Sequence, residues 1–180
     1  MSLAKINRVG KVRKATACEK CGDAINVGDP AVKFAVGFRG RTRVRCSKSA
    51  CFPKPSERES SLVADVYAAQ EDADVEGAEN LDDLHEVRDA VAEAAREVAG
   101  QYEDSEMFEK NYDLQERADT LNNAADELDQ WEPSEDEPSE EEEEWTVDGT
   151  DYTDYEEARA AWLSTARSSL EAAIDQMELP

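Results

Sequence analysis

CEKCGDAINVGDPAVKFAVGFRGRTRVRC, residues 18–46, followed five residues later by Cys51, decides how the N-terminal part of this chain folds. All four cysteines lie here, spaced C-x2-C, then 24 residues, then C-x4-C. A C-x2-C turn offers two thiolates from one loop, and four thiolates satisfy a tetrahedral Zn2+. Gly22 follows the first pair and takes positive φ without a Cβ clash, which turns backbone N–H groups toward the sulfurs. Two disulfides are the competing reading. Size favours metal, because a segment of roughly 45 residues buries too little apolar surface to fold alone. Zinc supplies on the order of 10–16 kcal/mol coupled to folding. Four protein ligands leave no position for an activated water, so the expected cofactor is one structural Zn2+ on Cys18, Cys21, Cys46 and Cys51.

Between the cysteine pairs the pattern has period two, the signature of strands. Val32, Phe34, Val36 and Phe38 alternate with Lys33, Ala35, Gly37 and Arg39; Thr42, Val44 and Cys46 alternate with Arg41, Arg43 and Arg45. A hairpin turning near Arg39-Gly40 is expected. Its apolar residues and Cys46 should face the metal, and Lys33, Arg41, Arg43 and Arg45 should face outward. Upstream, Lys5, Arg8, Lys11, Arg13 and Lys14 form a basic arm. Lys11, Arg13, Lys14, Lys33, Arg39, Arg41, Arg43 and Arg45 are therefore the candidate nucleic-acid contacts. Like charges at alternate positions repel, which calls for a compensating anion. Nucleic acid and the chain's own acidic part are the two candidates, and a plainly solvated face is the alternative. No aromatic side chain is clearly exposed on that face, so base stacking is not expected.

The rest of the chain has the opposite charge. Overall there are 20 Lys+Arg and 44 Asp+Glu, a net −24. Residues 1–60 hold 14 basic and 5 acidic residues, whereas residues 61–180 hold 6 and 39. Such asymmetry points to an interaction with something charged, or between the halves. No stretch approaches the ~20 apolar residues of a membrane span. The N-terminus has basic residues without an apolar run behind them, so a secretory signal is not expected. A reducing, cytoplasmic setting is therefore the expectation, and there clustered cysteines suggest metal.

Five segments are expected: a basic arm over 1–17, a Zn(Cys)4 module over 18–55, an acidic helical region over 56–131, an acidic disordered linker over 132–150, and a C-terminal helix over 151–180. Ser56 and Glu59 fit a capping box that would open the first helix, striped by Leu62, Val66 and Ala69/Ala73. Leu81, Leu84, Val87, Val91, Ala94 and Val98 recur at helical spacing up to Gly100. Phe108, Leu114, Ala118, Leu121, Ala125, Leu128 and Trp131 mark a third helix, giving an antiparallel hairpin. WEPSEDEPSEEEEEW, residues 131–145, carries nine acids and two prolines and reads as disordered. Thr153 and Glu156 fit a second capping box. The last helix is striped by Tyr155, Ala158, Trp162, Ala166, Leu170, Ile174 and Met177, a face suited to docking on the helical hairpin. The expected fold is mostly α, with a small zinc-bound β-hairpin module.

Two resemblances add to this reading. CEKCGDAINVGDP with RCSKSACF resembles the zinc finger of poly(ADP-ribose) polymerases, with Cys18, Cys21 and Cys51 on ligand positions and Phe52 on the aromatic. That family has a histidine as third ligand, where this chain has Cys46 after a longer spacer. The family binds broken DNA ends. The layout RCSKSACFPKPSERESSLVADVYAAQE followed by acidic helices resembles uncharacterised zinc-ribbon proteins of tailed phages that infect actinobacteria. This second resemblance implies a phage accessory protein in a host bacterial cytoplasm. His85 is the only histidine, no phosphate loop is present, and no carboxylate pair stands out, so an enzyme is not expected. The expected function is nucleic-acid binding through the basic head, with the acidic helices serving a protein partner or autoregulation. Neither a membrane nor a small-molecule substrate is expected. The alternative is an acidic mimic of nucleic acid that occupies a host DNA-binding protein.

Overall fold

The computed structural model describes residues 4–36, 40–59, 61–141 and 144–180. The chain divides into two compact units, Met1–Glu71 and Asp72–Pro180. Among the described residues there are four α-helices and three small antiparallel sheets. No helix among them is long and apolar enough to cross a membrane.

The first unit contains five strands: β1 (Asn7–Val9), β2 (Thr16–Ala17), β3 (Ala24–Ile25), β4 (Ala31–Ala35) and β5 (Thr42–Cys46). β2 and β3 form a short hairpin around the first cysteine pair, and the other three make a sheet in the order β1-β4-β5. The expected pairing of the two long strands is present, although the turn at Gly37, Phe38 and Arg39 lies outside the described residues. The register corrects the expected faces. Ala31 stands opposite Cys46, Val32 opposite Arg45, Lys33 opposite Val44 and Phe34 opposite Arg43.

Residues directly opposite share a face, and here each even-numbered residue meets an odd-numbered one. This is a one-residue slip from the expected pairing, and in a structure of period two it exchanges the faces. Lys33 therefore lies on the face of Val44 and Cys46. Arg43 and Arg45 lie with Val32 and Phe34. Their guanidinium carbons sit 5.9 and 5.2 Å from the Phe34 ring centroid, and Phe34 itself is buried.

The capping box expected at Ser56 and Glu59 does not form. Helix α1 (Val63–Asp72) starts later, and the chain before it turns at Pro55–Arg58. The Ser56 hydroxyl and N–H both donate to Glu71, at 2.7 and 2.9 Å, so this serine holds the far end of α1. The Glu59 carboxylate accepts from the Ser61 N–H at 2.9 Å. Val63 and Val66 are the helix's buried face. Ala4 and Arg58 exchange two hydrogen bonds, which ties the start of the arm to this turn.

In the second unit, α2 (Leu81–Glu103) and α3 (Tyr112–Asp129) form the expected hairpin. Their N-caps are Asn80 and Asn111, whose side chains accept from Asp83 and Asp113 N–H. The buried stripes are Leu84, Val91, Ala95 and Val98 on one helix and Ala118, Leu121, Ala125 and Leu128 on the other. α2 runs on through Gly100, where a stop was expected. α4 (Tyr155–Asp175) buries Ala158, Trp162, Ala166, Leu170 and Ile174, the expected stripe without its two ends. Its N-cap is Asp154, one residue beyond the expected Thr153.

The segment read as a disordered linker is structured over most of its length. Glu135 C=O accepts from the Trp162 indole at 2.9 Å, Ser139 C=O accepts from the Trp145 indole at 2.9 Å, and Glu137 pairs with Arg159. Its end is a hairpin, β6 (Trp145–Val147) and β7 (Thr150–Tyr152).

Candidate metal centre and basic groove

The β2–β3 hairpin shapes the first half of the metal centre. Cys18 N–H donates to Asp23 C=O at 2.8 Å, and Gly22 N–H returns to Cys18 C=O at 2.9 Å. Gly22 has φ +78°, the left-handed conformation expected for it. The second half comes from the end of β5, which carries Cys46, and from a 3-10 turn at Ser49–Cys51. Glu19 N–H donates to Val44 C=O and so joins the two halves. Lys48 of the second half pairs with Asp23 of the first.

All four Sγ atoms lie within 4.8 Å of one another. Cys21 and Cys46 Sγ are 3.9 Å apart. Sulfurs at ~2.3 Å from one tetrahedral zinc stand ~3.8 Å apart, whereas a disulfide needs ~2.05 Å. The four cysteines are free thiols. The donor set therefore fits a single tetrahedral, thiophilic dication, and Cys18, Cys21, Cys46 and Cys51 can hold it.

Burial opposes ionisation of Cys18, but N–H groups of Cys21, Cys46 and Lys20 outweigh it and bring the thiol to about 6. Cys51, beside the Cys46 sulfur and out of water, is pushed up to about 12. A cation held by all four sulfurs would displace protons from these thiols. Val12, Ile25, Ala31 and the buried Cys18 and Cys51 form one apolar cluster. The candidate metal site is thus part of this unit's core, which also includes the buried Val32, Phe34, Val63 and Val66.

Arg45 supports this centre from the opposite face of the sheet. It is 5% exposed, and its two terminal nitrogens donate to the two oxygens of Glu57 at 2.7 Å each. Hydrogen bonding to Glu57 raises its basicity despite burial, and the Cys18 and Cys51 sulfurs add to the effect. The paired Arg45 holds the Glu57 carboxyl down at about 2. Arg45 is a buried structural cation, and the expectation that it faces outward is corrected. Its partner Glu57 had no signal in the sequence beyond being one carboxylate among many.

The other expected basic residues separate into two groups. Arg41 is exposed and pairs with Glu19 at 3.7 Å, Arg43 is exposed beside Phe34, and Arg39 lies outside the described residues. Lys11, Arg13, Lys14 and Lys33 instead line one groove of about 530 Å³, floored by Val9, Val12 and Val44. Among the described residues none of these four makes an ion pair. Glu19, Asp23, Glu57 and Glu71 are engaged elsewhere, by Arg41, Lys48, Arg45 and Lys54. No known protein family, curated protein or solved structure matches the chain.

Proposed function

We propose that the N-terminal unit is a zinc-folded module that binds nucleic acid through its phosphates, in a phage-encoded accessory protein whose acidic helical unit serves a protein interaction. The observation that carries the reading is the sorting of charge within this unit. Four of its carboxylates, Glu19, Asp23, Glu57 and Glu71, are taken up by other cations, and four cations without an ion pair among the described residues gather around one groove. Backbone cations of this kind position a phosphate chain and do not read sequence. The phage setting rests on the resemblance of residues 45–71 and the acidic helices that follow.

Titration of the zinc-loaded full chain with duplex and single-stranded oligonucleotides across salt tests it. Four neutralised phosphates give a slope of log K against log salt of about −3.6 for duplex and about −2.8 for a single strand. Replacing Lys11, Arg13, Lys14 and Lys33 together by alanine should abolish most of that slope. Absence of binding at low salt, or an unchanged slope in the fourfold variant, overturns the reading.

A further inference from the structure

A second cavity, of about 480 Å³, opens at the end of the three-stranded sheet where β1 stops, β4 begins and β5 ends. Arg8, Gly10, Pro30, Ser47, Ser49 and Phe52 line it, and Val9 belongs to its wall and to that of the basic groove. Its chemistry differs from the groove's. One cation and two hydroxyls sit over a mainly apolar surface that includes a proline and an aromatic ring. The Arg8 guanidinium lies 5.3 Å from the Phe52 ring centroid. Among the described residues Arg8 makes no ion pair. A phosphate has no use for an apolar floor, whereas a nucleobase stacks on planar guanidinium and aromatic groups and hydrogen-bonds to hydroxyls at its edge. The volume lies in the range of pockets that enclose small planar ligands.

We propose that this cavity takes one unpaired nucleobase, so that the ligand of the basic unit is single-stranded nucleic acid. The inference rests on the phosphate-binding reading above and narrows it. Chain residues 8–16 line both sites in succession, so a strand whose phosphates lie along Lys11, Arg13, Lys14 and Lys33 reaches the cavity with its next base. A duplex reaches it only by flipping a base out of its stack, at a cost the single strand does not bear. The expectation that base stacking plays no part concerned the basic face of the hairpin; Phe52 is half-buried at the wall of this other cavity.

The test uses the zinc-loaded full chain and labelled strands of about 15 nucleotides. The probes are oligo-dT, oligo-U, an abasic strand with the same phosphates, and a duplex of equal length, all at one salt concentration. A base-bearing strand should bind about tenfold more tightly than the abasic strand, the order that stacking of one base supports. The deoxy and ribo arms identify which sugar is accepted, and a tenfold gain in either supports the proposal. Gly10→Leu should erase the gain while abasic and duplex binding stay as in the parent, because a Cβ at Gly10 meets nothing within 4 Å and the leucine enters open space. Phe52→Leu, which keeps apolar bulk but removes the ring, should erase it too, with bound zinc as the check on folding. Equal binding of base-bearing and abasic strands, or a full gain retained in Gly10→Leu, overturns the proposal and leaves phosphate binding intact. No binding of any probe overturns both.

Discussion

Glu57 accepts from Arg45 through both of its oxygens, and the two residues respond differently to replacement. Arg45 is 5% exposed, whereas the Glu57 side chain is 27% exposed. Removing the carboxylate leaves a buried guanidinium without its partner, which costs on the order of 3–5 kcal/mol; replacing the arginine by an apolar residue removes the buried charge and costs less. Glu57→Ala should therefore lower the stability of the zinc-loaded first unit by about 3 kcal/mol and Arg45→Met by distinctly less, read by denaturant titration. An equal loss would show that the pair acts by packing alone. The same pair fixes a pH dependence. A carboxyl held at about 2 in the folded state, against 4.5 when free, contributes stability that is complete above 4.5 and is lost as pH falls toward 2. Glu57 should accordingly remain ionised in the folded protein at about pH 4.5, where an ordinary glutamate is half protonated. A carboxyl-carbon NMR shift still at its neutral-pH value there is the expected result, and a half-titrated signal refutes it. The four cysteines were legible from spacing because metal chemistry dictates type and number. Arg45 was not, since alternation defines two faces while the register that chooses between them depends on a turn of unknown length.

At the scale of elements, helices announced themselves and the acidic connection did not. Apolar positions at helical spacing identified the stripes of α2, α3 and α4, which packing then used. Composition alone judged residues 132–150, and composition counts side chains. What holds this segment is largely its backbone, whose carbonyls accept indole N–H groups from Trp145 and Trp162. Trp162→Phe keeps most of the buried ring and removes the donor, leaving the Glu135 carbonyl without it. Hydrogen exchange around Glu135 should speed up, while protection in α2 and α3 stays; unchanged exchange would show that the indole N–H does not hold the segment. The hairpin β6–β7 did leave a sequence signal, Asp148-Gly149 between Val147 and Thr150. Both central residues have positive φ, +48° and +73°, as the tight turns that match strand twist require. Gly149→Ala should cost about 1 kcal/mol in the unfolding of the second unit, because alanine resists that conformation. Gly100→Ala, in the last turn of α2 with open space around its Cβ, should stabilise, by up to about 1 kcal/mol. The same sign for both substitutions in thermal unfolding would contradict this assignment of backbone roles.

For the whole molecule, charge sets two opposite responses to salt. Residues 1–71 hold 14 Lys+Arg and 7 Asp+Glu, and residues 72–180 hold 6 and 37. In the second unit, among the described residues, few carboxylates find a base: Arg96 bridges Asp126 and Asp129 across the helical hairpin, Arg88 meets Asp89 and Glu132, His85 meets Glu132, Arg117 meets Asp113, and Arg159 meets Glu137. Exposed pairs of this kind are worth little each, so repulsion among the remaining carboxylates dominates the electrostatics of folding there. Salt screens that repulsion beyond a Debye length, which shrinks from ~30 Å at 0.01 M to ~10 Å at 0.1 M. The melting temperature of the helical unit, followed by helix circular dichroism on the full chain, should rise by several degrees over that range. If the ion pairs outweighed the repulsion, it would fall instead. Phosphate binding, as proposed for the basic unit, should move the other way, because each released counterion makes binding weaker as salt rises. Salt should therefore stabilise the acidic unit under the conditions that would loosen the ligand proposed for the basic unit. One salt series with both readouts separates the two charge populations in the intact chain: melting and affinity that rise together would show that the basic groove does not bind through phosphates, and a flat melting curve would show that the acidic surface is already neutralised.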